Sequence, residues 1–172
     1  MTGLLATHQH LLKQAALLLA RMDDVIYTKP SAIFLNSAIG GHIRHCLDHY
    51  GSLLQGLPGG QVDYDDRLRD PAVETRISEA LSRLASILGG LEDLVQNPGL
   101  TASGALLVRS GQGPESGGWH PSSPGRELEF LIGHTIHHFA LIAGLCHVHG
   151  IAVDSDFGVA PSTLRYREVC HA

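Results

Sequence analysis

Apolar residues recur at three- and four-residue steps in four separate stretches of the chain, the period of one helix face. The first covers residues 4–24, with Leu4, His8, Leu11, Ala15, Leu18 and Met22 on one stripe. Lys29-Pro30 lies beyond it, and the residue before a proline avoids the helical well. The second opens at Asn36-Ser37, both good N-caps, and runs to residue 57 before Pro58-Gly59-Gly60 stops it. Ile39, Ile43, Cys46, Leu47, Tyr50, Leu53 and Leu54 make its apolar face. The third starts at Asp70-Pro71, a cap followed by a proline at the first helical position, and ends at Asn97-Pro98-Gly99. The fourth opens in the same way at Ser123-Pro124 and closes at His149-Gly150.

The connections differ in character. Residues 61–70 form a polar crossing, and residues 100–122 are rich in glycine and serine. Within the latter, Ala105 to Val108 reads as a short strand and residues 111–118 as a small hairpin. The tail, residues 151–172, alternates Phe157, Val159, Leu164 and Tyr166 with small and polar residues, too apolar for a disordered end. It is expected to dock on the helices, with Tyr166 or Arg165 turned towards any site they form. The pattern predicts one all-α domain over residues 1–172, a four-helix bundle with a hairpin or loop insertion before the fourth helix.

Composition narrows the class. A chain of 172 residues that is 44 % hydrophobic fills one core. A net charge of −5 without a basic run disfavours nucleic acid as a partner. The longest uninterrupted apolar run, Ala15 to Ala20, is far shorter than a membrane span, and no signal peptide is evident. Three cysteines at no paired spacing fit a reducing cytoplasm. A soluble, cytoplasmic protein is the expectation.

Histidine changes the picture. There are 12, clustered at His42, His45 and His49 and again from His134 to His149. His134 and His138 are four apart, which stacks two imidazoles on one face, and that face continues through Leu131, Leu141 and Leu145. Two histidines turned to a core need partners for their ring nitrogens, and a transition metal supplies one. The competing reading is a His-rich chain with solvated rings, which suits His10, His120 and His171.

The stretch from Ser37 to His45 together with His134-Thr135-Ile136-His137-His138 resembles the DinB/YfiT-like superfamily of metalloenzymes, over most of the chain. Residues 62–70 and 158–166 look like one branch of it. The resemblance implies an up-down-down-up bundle, a homodimer, and a divalent metal (zinc, nickel or iron) held by three histidines. Matched residue by residue, His134 and His138 are the pair and His45 is the ligand from the second helix. On a helical wheel His42 and His49 lie nearer the centre of that helix's apolar face, so they stay as alternates.

Three imidazoles leave a coordination position open, the arrangement of a catalytic site rather than a structural one. Cys46 and Cys146 point off the histidine stripe and read as small core residues. Tyr64, Arg67 and Tyr166 are candidate substrate contacts, against a default of solvated side chains; Arg69 shares the first pair's crossing. Glu127 and Asp48 are candidate carboxylates near the metal, against a helix-end acid and a solvated residue. His8 reads as a core-edge histidine and Cys170 as a free thiol. Two functions compete: a metal-dependent enzyme that activates a thiol or water, a thiol S-transferase or hydrolase acting on a small molecule such as a low-molecular-weight thiol; or a non-catalytic metal-binding or stress-response bundle protein.

Overall fold

The computed structural model of the chain describes residues 2–102, 104–110 and 118–170. It is mostly helical and carries one small sheet. Helix α1 (Thr2–Leu19) ends earlier than its periodicity suggests, because Asp23 caps a new short helix, α2 (Asp24–Tyr27), by accepting from the Ile26 N–H. Tyr27 is buried and its hydroxyl donates to the Val73 carbonyl.

Helix α3 (Ile39–Gly56) begins two residues later than the Asn36-Ser37 cap expected for it. Asn36 sits in the left-handed region, which an N-cap does not adopt, and the Ser37 hydroxyl bonds the Phe34 carbonyl instead. Ala38 takes the cap position without a side-chain bond. A 3-10 turn over Leu57–Gly59 ends α3, with Gly60 left-handed behind it.

The third predicted helix is two helices, α4 (Pro71–Thr75) and α5 (Ile77–Gln96). Asp70 caps α4 as expected. The break falls at Arg76, whose backbone is extended, and the Asp24 carboxylate takes the freed Ile77 N–H at 2.8 Å. The break thus needs a side chain from 53 residues away, invisible to local periodicity.

Strands β1 (Gln61–Asp63), β2 (Leu106–Arg109) and β3 (His120–Ser122) form the sheet in that order. The short strand expected at Ala105 to Val108 is β2, which pairs antiparallel with β3, Leu106 opposite Ser122; the hairpin expected across residues 111–118 lies outside the described residues but for Gly118. An all-α fold is corrected here: β1, expected as polar crossing, pairs parallel to β2. Its one buried residue, Val62, is too little apolar pattern to announce a strand. Asp63 and Arg109, directly opposite each other, form an ion pair.

A short α6 (Gly99–Ala102) precedes the sheet, and α7 (Pro124–Val148) follows it. Ser123 caps α7, and a Schellman turn ends it: Gly150, left-handed, donates to His147 and Ile151 donates to Cys146. Among the described residues, α7 alone would suit a membrane span by length and composition, but its buried stripe faces α1 and α3. Helix α3 packs on α5 and α7, and α1 packs on α5 and α7. The described part of the tail, residues 151–170, includes a last helix, α8 (Pro161–Cys170).

Candidate metal centre

Helix periodicity places the site. His42, His45 and His49 leave α3 at steps of three and four, and His134 and His138 leave α7 one turn apart. Because α3 and α7 pack together, the two sets meet. The ring of His45 lies 4.9 Å from that of His134 and 4.6 Å from that of His138, and the α7 pair is 4.7 Å apart. One nitrogen from each of these three rings lies within 4.8 Å of the other two. Three imidazoles on one zinc have their nitrogens about 3.3 Å apart, so small side-chain rotations close the set. The Nε2 of His134 is buried with no hydrogen-bond partner, as expected of a nitrogen reserved for an ion. The residues therefore fit a divalent transition metal.

His49 and His42 flank the three. His49 is 4.3 Å from His134 ring to ring, and its Nδ1 donates to the His45 carbonyl at 2.8 Å. His42 brings its Nδ1 to 3.0 Å from Nδ1 of His138, and its Nε2 to 3.1 Å from the Ser37 hydroxyl. Burial, then the neighbouring rings, holds His45 and His138 at a pKa of about 3. Burial holds His49 at about 4, against its bond to the His45 carbonyl, and lowers His134 and His42 as well. Arg67 contributes to the lowering at His45, His49 and His134, which sets its positive charge beside the cluster. The rings are neutral at pH 7, the state in which imidazole binds metal.

An aromatic wall closes one side. Tyr64, fully buried, stacks on His49 at 5.3 Å, and Phe130 stacks on His134 at 5.5 Å; the two meet at 5.9 Å. Arg67 donates to the Tyr64 carbonyl, anchoring the crossing to this wall. Tyr64 and Phe130 also line a cavity of about 290 Å³ with His120, Ser122, Arg126 and Glu127. Phe130 was not singled out from the sequence, although it stands four residues before His134 and shares its spacing signal.

Other candidates fall elsewhere. Tyr166 is 69 % exposed on α8, and no ring contact joins it to the cluster among the described residues. The Asp48 carboxylate takes Arg44 at 2.6 Å rather than a ring N–H, and Arg44 in turn holds Glu74. Glu127, buried, accepts from the Ser122 hydroxyl at 2.5 Å at the start of α7. Cys46 and Cys146 are buried free thiols and Cys170 is an exposed one. His8 is buried, with Nδ1 at 2.8 Å from the Tyr50 hydroxyl.

No family model matches the chain. A curated protein, FK506-binding protein 5 of Rhizopus delemar, is 51 % identical over 45 residues, which is 26 % of this chain and 12 % of that protein. The chain thus matches about an eighth of that protein's length. A likeness of that extent carries no family membership.

Proposed function

We propose that His45, His134 and His138 hold one divalent transition metal and that the chain is a metal-dependent enzyme of the thiol S-transferase or hydrolase type. The observation that carries this reading is the meeting of three neutral imidazoles from α3 and α7 without a thiolate or carboxylate in the group among the described residues. Imidazole donors favour zinc or nickel, with iron next, over magnesium. An ion held there supplies Lewis acidity, which draws the proton from a thiol or a water at neutral pH.

The chain's own residues supply the rest. Tyr64 and Phe130 stack on His49 and His134 and hold those two rings in place from that side. Arg67 adds a fixed positive charge that favours an anionic reactant beside the histidines. The cavity beyond the aromatic wall has the size of a small-molecule pocket, and Arg126 and Glu127 give it both signs of charge. The architecture we assign is the up-down-down-up four-helix bundle of α1, α3, α5 and α7; it is supported by the packing of α1 and α3 each on both α5 and α7.

The test is elemental analysis of protein purified without a polyhistidine tag, followed by a screen of low-molecular-weight thiols against electrophiles. One zinc or nickel per chain and turnover that depends on it is the expected result. Metal without turnover would return the chain to the non-catalytic reading.

A further inference from the structure

The loop before α3 holds two consecutive non-glycine residues in the left-handed region, Leu35 at φ 55° and Asn36 at φ 59°. Leu35 is 94 % exposed, so packing of its side chain does not explain the conformation. Such backbone persists only where its surroundings fix it, and here an isolated bridge between Ser31 and Ser37 closes the loop. What the loop delivers is the Phe34 carbonyl, 2.7 Å from the Ser37 hydroxyl oxygen.

From that carbonyl the proton positions follow in order. Two oxygens at 2.7 Å need a hydrogen between them, and a carbonyl carries none, so Ser37 donates. Its oxygen then accepts, and the group 3.1 Å away is Nε2 of His42, which therefore bears the hydrogen. A neutral His42 has a bare Nδ1, 3.0 Å from Nδ1 of His138. That nitrogen of His138 must be the donor, and its Nε2 is left with a free lone pair.

We infer that the Phe34 carbonyl, Ser37 and His42 form a hydrogen-bond relay of fixed polarity that holds His138 in the Nδ1-protonated tautomer with Nε2 presented to a cation. This rests on the reading of His45, His134 and His138 as the ligand set. His42 is a positioning residue and not a ligand. The inference gives the left-handed turn a purpose, since a turn that moved the Phe34 carbonyl would release the proton order of every group behind it. Metal-binding histidines commonly fix their orientation by such a bond from the other ring nitrogen.

The test reads tautomers directly. Long-range proton–nitrogen correlation spectra of ¹⁵N-labelled, zinc-free protein should show His138 protonated at Nδ1 and His42 at Nε2. Zinc chloride should then move Nε2 of His138 to a metal-bound shift and leave both nitrogens of His42 outside that range. His138 protonated at Nε2, or a metal-bound nitrogen in His42, overturns the inference. A wild-type protein that binds neither zinc nor nickel nor iron defeats the proposed function, and the tautomers of the metal-free protein still decide the relay. In Ser37→Ala the chain loses its link to the carbonyl. Zinc affinity, measured by competition with a chromophoric chelator, should fall on the order of 10-fold or more with stoichiometry kept at one. Wild-type affinity in that variant overturns the inference.

Discussion

The ring of Phe157 lies flat on that of Phe139, with centroids 4.7 Å apart and 3° between the planes. Both are buried, and this stack fixes the tail to α7. Gly158 makes the approach feasible: it is left-handed, and a Cβ there would meet the backbone of Phe139 and Ala140 at 2.7 Å. Phe157→Ala should lower the unfolding free energy by about 3 kcal/mol in urea titration, through lost burial and the cavity left behind. Tyr166→Phe, at a 69 % exposed position, should leave stability and metal content unchanged. A stable Phe157→Ala protein would mean the tail adds nothing to the fold.

The metal reading makes a sharper demand. His134→Ala removes the one ligand nitrogen that is buried without any other partner, so metal per chain should drop to near zero by elemental analysis. The helical circular dichroism should survive, because His134 is only half-buried and α7 keeps its Leu128, Leu131, Phe139 and Ile142 contacts. His49→Ala keeps the three-ring set and should retain metal. Full metal content in His134→Ala would refute the ligand assignment.

Two glycines in long helices should respond in opposite directions. A Cβ on Gly40 would lie 2.0 Å from the Glu74 carbonyl oxygen and 2.9 Å from the Tyr27 ring, so α3 and α4 must separate to admit it. Gly40→Ala should cost about 2 kcal/mol or more, as overpacking does. Gly133 has nothing within 4 Å of its virtual Cβ and sits inside α7, where alanine is favoured by about 1 kcal/mol. Gly133→Ala should therefore raise the melting temperature, and a matching gain at both positions would show that propensity and not contact governs them.

The site was legible because it is written in helical spacing. The four-residue step from His134 to His138 and the His42–His45–His49 run each fix a face of one helix, and packing of α3 on α7 does the rest. Which ring of α3 touches both members of the pair depends on the rotation of that helix: His45 does, whereas His42 and His49, nearer the centre of the apolar face on a helical wheel, reach His138 and His134 respectively. The break at Arg76 and the strand β1 were not legible, since Asp24 and Leu107 complete them from distant parts of the chain. The Asn36-Ser37 cap misled because both residues serve the turn that places Phe34.

His8 should leave a signature in acid. It is fully buried, with Nδ1 at 2.8 Å from the Tyr50 hydroxyl, which also accepts from Thr135 at 3.2 Å. That hydroxyl has one hydrogen to give, and a ring protonated at Nδ1 could not take it. Burial lowers the pKa of His8 from 6.5 to about 4, opposed in smaller part by the Leu128 backbone. The unfolded chain therefore binds a proton as pH falls through 6.5, while the native protein does not until about 4. The contribution is whole above pH 6.5 and is lost between there and pH 4, on the order of 3 kcal/mol. Because burial also lowers His45, His49 and His138, the wild type must be compared with a variant. His8→Gln lacks the titrating ring, so the stability lead of the wild type over it should shrink as the urea midpoint is followed from pH 7.5 to pH 4.5. A gap that stays constant over that range would mean that His8 takes up its proton at the same pH in the native protein as in the unfolded chain.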